Sequence, residues 1–497
     1  GGDIQFVNVG ATNVGFAVQQ PGQFCANNNV TTNMSLAVAT MVPGGTQSGS
    51  GLPQTGADTM GNCYRQSVST YPWDAPQWSF DADGNYVSPR TQTQLTQNKF
   101  TGALFGLGFD GGTNLLWGSA VIRRHSGLGP KGVGGVYAMR TDGSGVVNSF
   151  DLTGAPWNLT LSDGRNLSDS ARDISTSSSI NLAYSSDVAG YSAVGKIGIG
   201  EIEVDAVGGY LWIVNLYQKQ LHRIPLTGST ANPGLGSTVT SYTIPQSVCT
   251  ANGSVARPFA LRLDPTTRKP IVGGVCTNEA AAINTNVNTQ GTTGMAENGW
   301  IMTLDPSSST FTTNTTFSFA YPHLSDACGV TADGIVSPLP QPGLGGDSNL
   351  CWPSMWHAWT DDFNGIQTWS HTINGNVADG INFLGAYSQP MLTGIDVLAD
   401  GSFVVGVADR MNFQTGWFNA PPDATKGSAS SRQYQVSASV SGDILLLCKT
   451  GSTWTRESAG GCGSYQASTR PYAGPARNGP QSEFFDDNIF GIMAGAY

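Results

Sequence analysis

Three oxygen-bearing side chains, Asp81, Asp83 and Asn85, alternate around Gly84 and are of the types that hard cations prefer as ligands. Oxygen atoms spaced in this way around a turn can surround Ca²⁺. A complete EF-hand loop would also need an acidic residue at its twelfth position, where this chain has Gln92. The pattern therefore predicts an irregular calcium site, and the alternative is a polar hairpin turn. Calcium is the cofactor that the sequence suggests.

A cluster of aromatic residues follows much later, with Trp352, Trp356 and Trp359 beside His357. The broad face of a tryptophan stacks on sugar rings, and nearby polar groups can bond sugar hydroxyls. One interpretation is therefore a glycan-binding platform. The other interpretation is aromatic packing between sheets, which needs no ligand.

Motifs for other kinds of site are incomplete. The pattern Gly127-x-Gly129-x-x-Gly132 is followed by apolar residues that favour a strand, whereas nucleotide binding needs a helix at that point. In the partial P-loop ending at Lys196, Ile197 stands where a hydroxyl must reach Mg²⁺. Because G-x-S-x-G and H-E-x-x-H are missing and the five histidines are scattered, the sequence predicts no catalytic residue. Loops from distant parts of the chain can still come together to form a catalytic site.

The eight cysteines form neighbouring pairs along the chain, and no C-x-x-C motif occurs. Disulfides are therefore favoured over a zinc site or eight separate thiols, and they indicate an oxidising, extracytoplasmic location. The expected pairs are Cys25 with Cys63, Cys249 with Cys276, Cys328 with Cys351, and Cys448 with Cys462.

Six N-x-S/T sequons fit a secreted glycoprotein, although a chain rich in Asn, Ser and Thr produces some by chance. The asparagines are Asn29, Asn33, Asn158, Asn166, Asn252 and Asn314.

The composition favours short strands and turns. Only 11% of the 497 residues are charged and 65 are glycine, whereas helices usually need charged residues on their exposed faces. A formal net charge of −11 argues against nucleic acid as a partner. No apolar run is long enough for a membrane-spanning helix, and without a leader-like segment Gly1 is expected to begin a matured chain.

A two-part unit recurs along the chain. Its first part is an apolar hairpin with a tight turn on Asp or Gly, and its second part is a further hairpin. The first hairpins are predicted at residues 104–122, 202–216, 259–275 and 392–407. The second hairpins are predicted at residues 135–152, 220–244, 299–319 and 442–454.

Four meandering strands per unit are the content of a propeller blade. The sequence therefore predicts an all-β fold, a β-propeller of six or seven irregular blades with long loop insertions, as a single domain over residues 1–497. Residues 1–95 and 335–390 are the candidates for the further blades. The alternative for residues 1–95 is a loop-rich extension whose strand from Ile4 to Val18 closes the ring. A β-sandwich with a second β domain is the competing architecture.

The most distinctive stretch reads Arg123-Arg-His-Ser-Gly-Leu-Gly-Pro-Lys-Gly-Val-Gly-Gly-Val-Tyr137. With residues 204–216, 221–225 and 441–447 it resembles the propeller-like N-terminal region of bacterial secreted surface proteins that carry SdrD B-like immunoglobulin-type repeats. The resemblance covers residues 97–490. It implies an extracellular or surface-attached protein with a structural, adhesive or binding role, and no catalytic residues. The sequence stops at Tyr497 without a downstream repeat of this kind, so attachment through such repeats is not expected, and proteolytic maturation or self-assembly is suggested.

We therefore expect an extracellular structural or adhesive protein, such as a self-assembling subunit of a filament, sheath or surface layer. Its expected partners are copies of itself, other surface proteins or glycans, without nucleic acid. The alternative is a secreted propeller enzyme, either a polysaccharide lyase or hydrolase or a quinone-dependent dehydrogenase. A polar, charged central channel would favour the enzyme, and an apolar, plugged channel would favour the building block.

Overall fold

The computed structural model describes a defined part of the chain. The described residues are 35–42, 66–72, 79–80, 86–87, 93–172, 174, 186–251, 253–280, 298–320, 328–330, 336–338, 356–363, 368–370, 383–385, 388–415, 421–422, 436–438, 442–456 and 462.

Strands dominate these residues. The strands are β1 (Ser35–Ala39), β2 (Gln66–Pro72), β3 (Ser79–Phe80), β4 (Tyr86–Val87), β5 (Thr93–Gln97), β6 (Leu104–Asp110), β7 (Leu115–Ala120), β8 (Gly135–Arg140), β9 (Val146–Asp151), β10 (Ile199–Asp205), β11 (Tyr210–Asn215), β12 (Gln220–Ser229), β13 (Asn232–Leu235), β14 (Thr240–Thr243), β15 (Ala256–Leu263), β16 (Pro270–Cys276), β17 (Asn298–Asp305), β18 (Thr310–Ser318), β19 (Cys328–Val330), β20 (Val336–Pro338), β21 (Thr368–Ser370), β22 (Phe383–Gly385), β23 (Pro390–Val397), β24 (Phe403–Asp409), β25 (Val436–Ala438), β26 (Asp443–Thr450) and β27 (Thr453–Arg456). The short helices are α1 (Asn98–Thr101), α2 (Val188–Ala193) and α3 (Arg410–Gln414).

Most strands belong to meandering antiparallel sheets. The larger sheets have the orders β6-β7-β8-β9, β10-β11-β12 with β13 and β14 on β12, β15-β16-β17-β18, and β23-β24-β26-β27. The smaller sheets are β1-β2-β5, β21-β22-β25, β3-β4 and β19-β20. The β22–β25 pair is parallel. The structure thus confirms an all-β fold, and the hairpins predicted in all four repeated units are present.

An aspartate closes the first turn of each large sheet. At the end of β6, the Asp110 carboxylate accepts hydrogen bonds from Gly112 N at 2.9 Å and from Thr113 Oγ1 at 2.6 Å. At the end of β10, the Asp205 carboxylate accepts a hydrogen bond from Gly208 N at 2.6 Å. Asp264 and Asp400 occupy the matching turns after β15 and β23. Because an Asp side chain can replace a backbone acceptor, these residues fix the hairpins locally.

Consecutive sheets pack face to face, because neighbouring residues of a strand point to opposite faces. In β11, Leu211 and Ile213 join a cluster with Trp117 of the β6–β9 sheet. The intervening Trp212 and Val214 join another cluster, shared with the β15–β18 and β23–β27 sheets. The β10–β14 sheet is therefore buried on both faces between its two neighbours.

The first strands of the four large sheets, β6, β10, β15 and β23, contact one another in chain order, and we call them the inner strands. Glycine permits the close approach. A Cβ on Gly106 would lie 2.7 Å from Ile202 N, and one on Gly200 would lie 2.8 Å from Phe259 O. Strand β1 also contacts β6, which adds a fifth strand to the series.

Each inner strand has a break in register near its beginning. The irregularities lie between Leu104 and Leu107, Ile199 and Ile202, Pro258 and Ala260, and Leu392 and Gly394. A bulge bends the strand and redirects the side chains at that point, and bulges are common beside functional sites. The four sheets therefore share a detail that is not visible in the sequence.

The two regions proposed from the sequence as further blades contain shorter sheets. Residues 35–97 form β1-β2-β5 and the β3–β4 pair, and β21 and β22 lie within residues 335–390. The expected closing strand from Ile4 to Val18 lies outside the described residues. In the described part of the chain, no helix has the length and apolar character needed to cross a membrane.

Candidate functional site on the inner strands

Four charged side chains gather where the inner strands meet. Glu201 and Glu203 come from β10, Arg262 from β15 and Asp396 from β23. Arg262 Nη1 lies 3.0 Å from Glu203 Oε1, and Arg262 Nε lies 3.4 Å from Asp396 Oδ1. Glu201 lies in the bulged part of β10, and its Oε1 accepts a hydrogen bond of 3.3 Å from Leu107 N on β6. The group therefore links four consecutive sheets.

The two glutamates of this site are hard to ionise. Burial, followed by the nearby charge of Glu203, raises the pKa of Glu201 well above its usual value. Burial also raises the pKa of Glu203, although the Arg262 guanidinium opposes the rise. Glu201 therefore keeps its proton at pH values where an ordinary glutamate has lost it. A carboxylic acid in that state can donate a proton.

Aromatic rings from the bulges of β6 and β15 pack against each other. The ring of Phe105, in the bulge of β6, is 5.1 Å from that of Phe259, in the bulge of β15, and perpendicular to it. The centroid of the Phe413 ring on α3 lies 6.0 Å from that of Phe105. The bulges of two inner strands and α3 thus share an aromatic cluster.

A chain of ion pairs connects the loops around the inner strands. Arg257 Nε binds Glu279 Oε1 at 2.8 Å, and Lys196 Nζ bridges Glu279 Oε2 at 3.0 Å and Asp361 Oδ2 at 2.9 Å. Arg410 Nη2 then binds Asp361 Oδ1 at 2.6 Å. Burial alone would raise the pKa of Glu279, but the hydrogen bonds and charges of Arg257 and Lys196 together lower it to about 2. Glu279 is therefore ionised at neutral pH.

The Arg-rich stretch that opens the distinctive motif is buried. Arg124 donates from Nη2 to Ser186 O at 2.6 Å and from Nη1 to Gln414 O at 3.1 Å. The Asp187 carboxylate accepts from His125 N at 2.7 Å. Arg172 binds the same carboxylate and also donates to Ser126 O at 2.9 Å. This loop is consequently fixed by charge-assisted hydrogen bonds.

The aromatic cluster lies in the core where it is described. Trp356 is 0% exposed, and His357 and Trp359 are each 2% exposed. Trp359 Nε1 donates to Pro390 O at 2.7 Å, and the Arg410 guanidinium carbon lies 4.6 Å from the centroid of the Trp359 ring. These three side chains form no exposed sugar platform, since their faces are covered by protein. Trp352 lies outside the described residues.

The calcium prediction is not tested, because Asp81, Asp83 and Asn85 lie outside the described residues. Within the described segments, no group of three or more His, Cys, Asp or Glu side chains is arranged to hold a metal ion.

Two of the expected disulfides are present, Cys249–Cys276 and Cys448–Cys462. Cys328 lies in β19, whereas Cys351, Cys25 and Cys63 are outside the described residues.

Among the sequon asparagines, Asn158 and Asn166 are exposed and Asn314 is partly exposed on β18. Asn29, Asn33 and Asn252 are outside the described residues.

The glycine motif behaves as expected. A single 3-10 turn at Gly132–Gly134 leads into β8, so no helix follows to present its N terminus to a pyrophosphate. Lys196 of the partial P-loop is held by Glu279 and Asp361.

Glu201 and Glu203 were not identified as site residues from the sequence. Acidic residues at alternate positions of the otherwise apolar strand β10 were the signal that could have found them.

Comparison with known proteins gives limited relationships. No protein-family model matches the chain. A segment of 196 residues, 39% of this chain, is 29% identical to Colossin-D of Dictyostelium discoideum and spans 18% of that protein's length.

Solved structures show only remote likeness. A Lactobacillus plantarum protein has a TM-score of 0.27 at 8% identity, covering 85% of this chain and 81% of its own. A periplasmic gluconolactonase of Pseudomonas aeruginosa has a TM-score of 0.24 at 13% identity, covering 58% of this chain and 71% of its own. A putative 6-phosphogluconolactonase of Bacteroides uniformis has a TM-score of 0.24 at 9% identity, covering 54% of this chain and 72% of its own.

Proposed function

We propose that the sheets are the blades of a β-propeller and that the protein is an extracellular structural subunit that associates with copies of itself. The succession of contacts from β6 to β10, β15 and β23 supports the radial arrangement. The β1-β2-β5 and β21-β22-β25 sheets would supply two further blades, which makes six. The two disulfides support a location outside the cytoplasm.

One observation carries the self-association, namely the outer edge of β18, where among the described residues only the end is covered, by Arg456 Nη1 donating to Ser318 O at 2.7 Å. In the described part of the chain, β18 pairs only with β17, and it is nine residues long without an ionisable side chain. The corresponding outer strands β9 and β27 have six and four residues and contain Asp151 and Arg456. Exposed edges are usually short or charged, because a long uncharged edge is a template for another strand.

The chemistry of β18 suits a second copy of the same strand. Its exposed side chains are Thr310, Thr312, Thr313, Thr316 and Ser318. Antiparallel pairing of β18 with itself has two-fold symmetry, which closes a dimer through one kind of contact. Because β18 has no ionisable side chain, two copies of the strand meet without charge repulsion at the contact itself, whereas the formal net charge of −11 on each chain opposes their approach at long range.

Light scattering over a concentration series tests this proposal. We expect the wild-type protein to form dimers or larger species as its concentration rises, and T312K/T316K to stay monomeric because two lysines oppose each other across the pair. The control T230K/T266K adds the same charge at exposed turn residues and should associate like the wild type. A wild-type protein that is monomeric throughout, or a T312K/T316K variant that assembles normally, would refute the proposal.

A second candidate function is that of a secreted enzyme that cleaves a polysaccharide by acid catalysis, as a lyase or hydrolase. The observation that favours it is the position of Glu201 beside Glu203 on β10, where burial raises the pKa of Glu201 well above its usual value and Arg262 binds Glu203. In this function Glu201 donates a proton to the leaving oxygen and Glu203 serves as the second carboxylate.

A panel of soluble polysaccharides tests this activity. We expect the wild-type protein to release reducing ends from at least one of them, and E201Q to lower the rate by about 100-fold because the amide cannot donate as an acid. The matched control is D163N, which neutralises an exposed carboxylate and should leave the rate unchanged. An inactive wild type across the panel, or an E201Q variant of normal rate, would argue against it.

A further inference from the structure

A cavity of about 350 Å³ lies between β1, β6 and α3. Its walls are largely apolar and include Met41, Phe105 and Phe413. Two polar side chains, those of Arg123 and Asn412, also line it. The volume is within the range of small-molecule sites, which are mostly apolar with a few polar groups that fix the ligand.

The guanidinium of Arg123 distinguishes this cavity from a packing defect. Arg123 Nη1 donates to Met41 O at 3.2 Å. Among the described residues, no carboxylate lies within ion-pair distance of Arg123, whereas Arg172, Arg262 and Arg410 each bind one. Burial lowers the pKa of Arg123 to about 10, so the side chain still carries its charge at neutral pH. The cavity therefore contains a partly dehydrated positive charge without an anionic partner from the described chain.

An anion would compensate this charge. Removing a cation from water is costly, and a partner of opposite sign inside a site of low dielectric constant recovers part of that cost. The planar guanidinium suits a carboxylate, to which it can donate two parallel hydrogen bonds. The rings of Phe105 and Phe413 provide apolar surface for the rest of the ligand.

We propose that this cavity binds a small organic acid, whose carboxylate pairs with Arg123 and whose flat apolar body packs against Phe105 and Phe413. The site is separate from the β18 edge, so binding and self-association can be tested independently. The cavity adjoins the Glu201 site, because Leu107 lines it and donates from its backbone N to Glu201 Oε1. Binding of a small acid and cleavage of a polysaccharide are nevertheless measured separately.

Benzoate and benzamide are suitable probes, because they share size and shape and differ in charge. By isothermal titration calorimetry on the whole chain, we expect benzoate to bind at least about tenfold more tightly than benzamide, the size of effect that a hydrogen bond to a charged group supports. The R123Q variant should lose this preference, and R123K should keep part of it. The control R165Q changes an arginine that pairs with Asp163 and should behave like the wild type.

A second measurement does not depend on the folding of any variant. Benzoate should raise the thermal midpoint of the wild-type protein more than benzamide does at equal concentration, because only a ligand of the folded state stabilises it. Equal binding of the two probes by the wild type, no detectable benzoate binding, or an R123Q variant that still prefers benzoate would overturn the proposal.

Discussion

Arg172 and Asp187 form a two-point ion pair from which solvent is excluded on both sides. Arg172 Nη2 lies 2.6 Å from Asp187 Oδ2, Nε lies 2.9 Å from Oδ1, and both side chains are 0% exposed. The same carboxylate accepts from His125 N at 2.7 Å and from Gly190 N at 3.0 Å. The pair therefore fixes the Arg-rich loop and the beginning of α2 at the same time.

Breaking this pair should be costly. We expect D187N to lower the free energy of unfolding by about 3–5 kcal/mol, because it leaves the buried Arg172 charge without compensation. The exposed pair Arg165–Asp163 provides the matched control, and D163N should cost about 1 kcal/mol or less. Urea unfolding followed by tryptophan fluorescence measures both. Equal losses in the two variants would contradict the prediction.

Asp409 should make the protein less stable as pH rises. Burial raises its pKa to about 7, although Gln389 N and Met411 N donate to its Oδ1. The pKa of an aspartate in the unfolded chain is about 3.9. Between about pH 4 and pH 7 the folded state therefore holds a proton that the unfolded state has lost. Stability from this group is complete below about pH 4 and is lost as pH rises to about 7, by about 4 kcal/mol at most.

The D409N variant isolates this effect. Its amide oxygen can still accept the two backbone hydrogen bonds, but the side chain does not titrate. We expect the stability of the wild type relative to D409N to fall between pH 4 and pH 7, as measured by urea unfolding at several pH values. A difference that does not change with pH would rule out the raised pKa.

His222 should act in the opposite direction. Burial lowers its pKa to about 4, and its ring lies between Asn215 Nδ2 at 3.1 Å and Ser241 Oγ at 2.9 Å. The pKa of a histidine in the unfolded chain is about 6.5. The neutral His222 therefore contributes stability that is complete above pH 6.5 and is lost as pH falls to about 4. H222Q should therefore show a smaller loss of thermal midpoint than the wild type over that range. An identical loss in both proteins would exclude His222 as the cause.

Gly102 should tolerate alanine poorly. It has a φ of +64°, and a Cβ there would lie 2.6 Å from Gly127 O, where the distinctive loop crosses the beginning of β6. Gly132 has a φ of +59° with open space around it, so G132A is the control for backbone strain alone. We expect G132A to cost about 1 kcal/mol and G102A clearly more. Equal thermal midpoints would mean that the loop moves aside without cost.

Each described disulfide should stabilise the fold by a similar amount. The bridges Cys249–Cys276 and Cys448–Cys462 have sequence separations of 27 and 14 residues. Loop-closure entropy depends only weakly on such lengths, so C249S/C276S and C448S/C462S should each cost about 3 kcal/mol. Replacing both members avoids a free thiol. Unfolding midpoints that do not change in either double variant would show that the unfolded chain is not restricted by these bridges.

Much of the strand content was predictable because its causes are local. Alternating apolar residues and a terminal aspartate specify the β6–β7 hairpin without reference to the rest of the chain, and Asp110 occupies the turn as expected. The two described disulfides were expected because each joins cysteines that are neighbours along the sequence.

The candidate sites were less predictable because distant residues assemble them. Lys196 and Asp361 are 165 positions apart, and Arg124 reaches Gln414 across 290 positions. The bulge that places Glu201 beside Leu107 depends on packing between sheets rather than on a sequence motif. The tryptophans near residue 356 were also hard to assign, because the same residue types occur in sugar-binding surfaces and in packed cores.

The ion pairs from Arg257 through Glu279, Lys196 and Asp361 to Arg410 have a consequence for a cleaved backbone. They tie together segments that the polypeptide connects only through long intervening stretches. Cutting one peptide bond between those segments would leave the fragments joined by side chains and by the shared core. A nicked molecule would therefore migrate as one particle under native conditions and separate into pieces only in denaturant.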